Sequence, residues 1–219
     1  MTNGVNLEQE LDAEFDVLEI SPEQRESLQT YLTLVRKRDE ETWEHSVRVG
    51  LKGAEVARFI HIVDPKALFY AGLLHDVGKA LTDPDSLRKK EGFDEKDMRE
   101  LRRHPMDGYK LLRGIHDFSA QILLRHHQFV GKGYPERLPR GHIDFSKGTQ
   151  AMIGYFARIL GLVDFHDALT HRENDKFSPG HPRLPTDEEA KGILLGANRD
   201  QTYLISELYD AGIFGGEER

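Results

Sequence analysis

Apolar residues recur along this chain at the three- and four-residue spacing of a buried helix face, with charged residues on the opposite faces. Ser21-Pro22-Glu23-Gln24 is a capping box with proline at the first helical position. Behind it Leu28, Tyr31, Leu32 and Val35 mark one face. A second helix is expected from about Glu41 to Ile62, with Trp43, Val47, Ala54 and Ala57 inward. Asp64-Pro65 stops it and starts a third, which carries Leu68, Ala71, Leu74 and His75. A charged loop is expected around Thr82 to Gly92, then short helices over Asp94–Arg103 and Pro105–Arg113. Asp117 caps a helix expected to carry Ile122, Leu123 and the pair His126–His127. After an irregular Gly131–Ser146 stretch, Thr149 opens a long helix through Phe156, Leu160 and Val163 to Asp164 and Asp167. A loop from Arg172 to Pro185 and a capping box at Thr186 precede two final helices. No alternating strand pattern and no repeat interrupts this sequence. The expectation is an all-α helical bundle.

Composition narrows the class. The 219 residues suit one domain with a short helical extension, and 38% apolar residues suffice for a core. Cysteine is absent, which excludes disulfides and thiolate metal sites. The polar Met1–Glu10 stretch lacks the form of a signal peptide, and no apolar run is long enough to span a bilayer. No membrane partner and a cytoplasmic location are therefore expected. A net charge of −8 argues against duplex nucleic acid, since the basic Arg99–Arg103 stretch is too short to make a basic face.

The eleven histidines change the picture. Tyr70-Ala71-Gly72-Leu73-Leu74 runs directly into His75-Asp76, and Gln121-Ile122-Leu123-Leu124 runs close to His126-His127. Polar groups beside such sequence face inward and need partners. His45, His75, His104, His126, His127, Asp76 and Asp164 together suit divalent metal, and imidazole with carboxylate suits iron, manganese, zinc or similar ions. Seven ligands exceed what one ion needs. Neighbours on a helix diverge by about 100°, so His75 and Asp76 suit two adjacent ions with the aspartate bridging. His61, His116, His142 and His181 lie beside turns or helix ends and read as surface residues; His166 and His171 read as structural.

His75-Asp76 followed by Gly78-Lys79 resembles the signature of the HD superfamily of phosphohydrolases, and further motifs resemble its HD-GYP branch. These are His45 with Arg48-Val49, His104 in His-Pro-Met-Asp-Gly-Tyr, His126-His127 with Gly133-Tyr134-Pro135, and Val163-Asp164 through Ala168-Leu169-Thr170. The ordered motifs span about Glu41 to Tyr209. The resemblance implies an HD-domain helical bundle over residues 41–219, preceded by an N-terminal helical extension over residues 1–40. It implies two or three divalent ions, iron or manganese favoured, other first-row metals possible. The ligands would be His45, His75, Asp76, His104, His126, His127 and Asp164, with Glu41 as a further candidate for a third ion. Asp76 and Lys79 would act in catalysis, and Lys79, Tyr134, Arg172 and Lys176 would contact substrate.

The implied activity is hydrolysis of a cyclic dinucleotide, cyclic di-GMP foremost, by a metal-bridging hydroxide. Departures from the family pattern cluster at Gln128 and at His171 to Lys176, where substrate would bind. They keep two alternatives open: an HD phosphohydrolase for another nucleotide or phosphoester, and a catalytically weakened metal-binding sensing module. The residues before Glu41 are too few for a sensory domain. Regulation is expected from a homodimer or a separate protein. Asp167, three residues past Asp164, is a candidate to orient a ligand.

Overall fold

The structure is a computed structural model that describes residues 3–61, 64–89, 92, 94–129, 131–139, 143–172 and 183–215. All regular structure in these residues is helical. The elements are α1 (Asn3–Val17), α2 (Pro22–Arg38), α3 (Glu40–Ile60), α4 (Pro65–Leu74), a 3-10 turn (Val77–Leu81), α5 (Pro84–Arg88), α6 (Glu95–Leu101), α7 (His104–Leu112), α8 (Asp117–Leu123), α9 (Lys147–His171), α10 (Asp187–Ala197) and α11 (Thr202–Asp210). No helix among the described residues is long and apolar enough to cross a membrane.

Local chemistry sets the boundaries. Ser21 and Thr186 close reciprocal capping boxes with Gln24 and Glu189. Asp39 and Asp64 accept from backbone N–H groups at the starts of α3 and α4. The long helix begins two residues before Thr149, because Ser146 is its cap and accepts from the Thr149 N–H. One further element departs from the sequence expectation. Inside the expected Thr82–Gly92 loop, Asp83 caps α5 and Pro84 takes its first position. Helix α1 lies within the stretch expected to be a helical extension, and it forms although its composition is acidic. Leu7, Leu11 and Phe15 recur every four residues and bury one stripe, with Phe15 edge-on to Phe69 at 5.6 Å.

Two apolar clusters form the core. One gathers α9, α10 and α11 with Ile122 of α8; the other gathers α1 and α2 with Trp43, Phe69, Leu73, Tyr109 and Leu123. Helices α3 and α4 contribute to both, through Val49 and Leu68 to the first and Val47 and Leu74 to the second. The helices that carry His45 and His75 are thereby held by packing, at roughly 1.5–3 kcal/mol per buried large apolar side chain. Helix α2 also braces the turn after His75-Asp76: Arg38 Nε donates to Ala80 O at 3.0 Å. His116 departs from its expected surface role. It is half-buried, bonds Ser27 of α2 at 2.9 Å and meets the rings of Tyr31 and Tyr70 edge-on.

Candidate metal centre

Each predicted ligand sits at an element chosen by its local sequence. His45 lies one turn into α3, His75 closes α4, Asp76 leads into the 3-10 turn, His104 opens α7 and Asp164 lies deep in α9. His126 and His127 differ from expectation in one respect. Helix α8 ends at Leu123, and the pair lies in the turns that follow. One close backbone approach fixes these turns, and another fixes the 3-10 turn against α7. A Cβ on Gly161 of α9 would lie 2.3 Å from His126 O, and one on Gly78 would lie 2.0 Å from His104 O. Only glycine permits backbones that close.

The side chains converge. His45 Nε2 lies 3.0 Å from Asp164 Oδ1 and 3.6 Å from Asp76 Oδ2, and His75 Nε2 lies 3.4 Å from that same Asp76 oxygen. On the other side, His104 Nε2 lies 3.3 Å from Asp76 Oδ1, and His127 Nδ1 lies 3.8 Å from Asp164 Oδ2. His126 Nε2 is 4.0 Å from Asp164 Oδ2. Each carboxylate thus divides its two oxygens between two groups of imidazoles. His45, His75, Asp76, His104, His126 and Asp164 are all buried, and His127 is half-buried.

The hydrogen bonding shows what these groups are arranged for. Nδ1–H donates to Gly72 O from His75 at 2.7 Å, to Leu101 O from His104 at 2.6 Å and to Leu123 O from His126 at 2.5 Å. His45 Nδ1 faces Asp167 Oδ2 at 2.6 Å. With Nδ1 occupied, each of the four presents Nε2 to the centre. Nε2 of His45 and His75 lie 3.2 Å apart, and Nε2 of His104 and His126 lie 3.4 Å apart. Facing lone pairs at such distances need a cation. Asp76 Oδ1 is buried and has no hydrogen-bond partner among the described residues. Outward-tied imidazoles with inward lone pairs and an orphaned carboxylate oxygen fit divalent metal, with nitrogen and oxygen donors throughout.

Electrostatics agree. Burial pushes His104 down to about 3 and His126 down to about 4, so both are neutral donors at neutral pH. Burial also opposes charge on His75, but Asp76 and Asp164 outweigh it and push that imidazole up to about 10. A proton there takes the place of a cation. Burial would raise Asp76 and Asp164, yet the neighbouring His75 and Lys79 hold Asp76, and His45 and His75 hold Asp164, well below the usual carboxylate range. Lys79 is buried and donates to Asp76 Oδ2.

The remaining predicted residues fall as follows. Tyr134 stacks on His127 at 4.5 Å between ring centroids and stands edge-on to His104 at 6.1 Å. Gln128 donates Nε2–H to Pro135 O at 3.3 Å and braces the Gly-Tyr-Pro turn. Glu41 is exposed, and the metal-capable groups among the described residues do not include it. Arg172 ends α9 eight residues beyond Asp164, about 12 Å along the helix. Lys176, His142 and His181 lie outside the described residues. His166 is buried and stacks on Phe214 at 4.0 Å.

Sequence reasoning passed over two arginines. Arg158 of α9 is buried, lies 5.4 Å from the Phe129 ring and donates to Asp200 and Asn198. Arg102 lies 5.7 Å from the Tyr134 ring. Neither stands in a metal-ligand pattern, and their partners are remote in sequence or in a loop.

The described residues thus form a helical bundle around a buried histidine–carboxylate centre with an adjacent lysine, a donor set that suits divalent metal. The HD domain family matches residues 42–178. The chain belongs to this family, and its motifs and relatives place it in the HD-GYP branch. It is 34% identical over 148 residues to a cyclic di-GMP phosphodiesterase of Pseudomonas aeruginosa, covering 64% of this chain and 33% of that protein. It is 32% identical over 174 residues to the cyclic di-GMP phosphodiesterase response regulator RpfG of Xanthomonas campestris pv. campestris, covering 76% of this chain and 43% of that one. The chain thus spans a third to less than half the length of these relatives. The crystal structure of the HD domain of the L. monocytogenes phosphodiesterase PgpH shares the fold, with a TM-score of 0.53 and 17% identity over 84% of this chain and 86% of that one.

Proposed function

We propose that this protein is a metal-dependent phosphodiesterase that opens a cyclic dinucleotide, with cyclic di-GMP as the foremost substrate. The observation that carries the reading is the pair of split carboxylates. Asp76 and Asp164 each offer one oxygen to the His45–His75 side and one to the His104–His126–His127 side. His45, His75, Asp76, His104, His126, His127 and Asp164 would hold two divalent ions, iron or manganese foremost. When bound, such ions supply Lewis-acid polarisation of a phosphodiester and activation of water. The nature of the substrate rests on the Gly133-Tyr134-Pro135 segment and on relatives that are cyclic di-GMP phosphodiesterases. A 3'3'-cGAMP-specific phosphodiesterase of Vibrio cholerae, 27% identical over 136 residues, adds a second cyclic dinucleotide to be tried.

The chain's own groups have separable tasks in this reading. The tied Nδ1 atoms hold the imidazoles in one tautomer. Lys79 places a buried positive charge beside Asp76, where the charge on a phosphodiester oxygen grows as the bond breaks. Tyr134, a neutral phenol pushed up by burial, roofs His127.

The test is elemental analysis of protein purified without chelators, followed by chromatography of products from cyclic di-GMP, cyclic GMP-AMP and cyclic di-AMP. Metal together with a linear dinucleotide product, both lost in Asp76→Ala, is the expected result. Metal-loaded protein that leaves all three compounds intact would overturn the reading.

A further inference from the structure

A cyclic dinucleotide, the substrate proposed above, carries two phosphodiesters, and only one is cut at a time. The other must be held elsewhere, by a chain whose net charge of −8 repels it overall. A local cation that is not already neutralised is therefore needed beside the centre. Most nearby cations are committed. Lys79 is paired with Asp76, and Arg48 donates to both oxygens of Asp167 at 2.8 and 3.1 Å. Arg103 pairs with Glu100 and Asp107, and Arg99 with Glu95.

Arg102 differs from these. It ends α6, is exposed, and makes no ion pair among the described residues. Its guanidinium stands 5.7 Å from the centroid of Tyr134, the ring that covers His127 and His104. Arg102 also lines a groove of about 450 Å³ along α6, together with Asp94, Glu95, Met98 and Arg99. Arginine's planar fork matches two oxygens of one phosphate, and the aromatic face beneath it limits its rotamers.

Resting on the cyclic-dinucleotide reading, we propose that Arg102 is a substrate-binding residue that holds the phosphodiester not being cut, with the α6 groove beside it receiving that half of the molecule. Tyr134 then has a second task, as the platform that aims the guanidinium.

The experiment compares two substrates on metal-loaded protein: cyclic di-GMP, and bis(para-nitrophenyl) phosphate, which carries a single phosphodiester. The quantity read is the ratio of their kcat/KM values. Losing a charge-assisted contact lowers binding roughly ten- to hundredfold. Arg102→Ala is expected to lower the ratio by about that factor, chiefly through KM for cyclic di-GMP, and Arg102→Lys to recover part of it. Arg102→Gln provides the same comparison should the alanine variant fail to fold. A disturbance of Tyr134 or of the metal centre lowers both activities together and leaves the ratio at its wild-type value; that result overturns the role of Arg102. Wild-type protein that cleaves the nitrophenyl ester but no cyclic dinucleotide overturns the substrate reading itself, and the role of Arg102 with it.

Discussion

His45 Nδ1 lies 2.6 Å from Asp167 Oδ2, while His45 Nε2 lies 3.0 Å from Asp164 Oδ1. Two carboxylates one helical turn apart on α9 thus grip both nitrogens of one imidazole. Asp167 also takes Arg48 and meets His171 at 3.2 Å, so its position is fixed from three sides. The neighbouring His45 and Arg48 overcome burial and hold its carboxyl well below the usual range. Asp167→Asn is expected to weaken metal binding about 10- to 100-fold with the helical fold retained. Chelator competition and circular dichroism measure the two quantities; unaltered affinity would remove the orienting role.

Lys79 sets a different expectation, because it touches the candidate ligand Asp76 while being itself a cation. If its charge serves the transition state, Lys79→Ala lowers kcat by about 10²–10³-fold. Metal content per chain stays near that of the wild type. Loss of metal in step with activity would instead make Lys79 a support for Asp76.

Gly161 tests the packing that places the paired histidines. Alanine there would put its Cβ 2.3 Å from His126 O, a contact with backbone that no side-chain rotation relieves. Gly161→Ala is expected to cost about 1–3 kcal/mol of stability, read from urea denaturation at constant m-value. Unchanged stability would mean that the turn after α8 yields freely.

The Arg158–Asp200 pair predicts a pH dependence. Asp200 is held down to about 2, chiefly by its hydrogen bond with Arg158. A carboxyl whose folded value is depressed adds stability above its unfolded value, near 3.9, and loses that stability as pH falls toward 2. Asp200 is exposed, so screening keeps the contribution near 1 kcal/mol. Asp200→Asn should therefore lower the melting temperature at pH 7, and the difference from wild type should shrink between pH 4 and pH 2. A gap independent of pH would rule out the ion pair as its cause.

The sequence by itself determined most of the helices and named the histidines and aspartates that the fold brings together. Helical periodicity and caps are local, so Ser21, Asp64 and Thr186 announce their helices without reference to the rest of the chain. The apolar runs before His75 and near His126 marked those residues as inward-facing, because a buried polar group must have a partner. What only the tertiary structure decided is which oxygen faces which nitrogen. The division of Asp76 and Asp164 between two imidazole groups joins α3, α4, α7, α9 and the turn after α8. The choice of Nε2 over Nδ1 depends on carbonyls that helix ends happen to present. Arg102 and Arg158 were silent in the sequence for the same reason. A cation acquires meaning from what it lies against, and Tyr134 and Asp200 reach them only once the helices have packed.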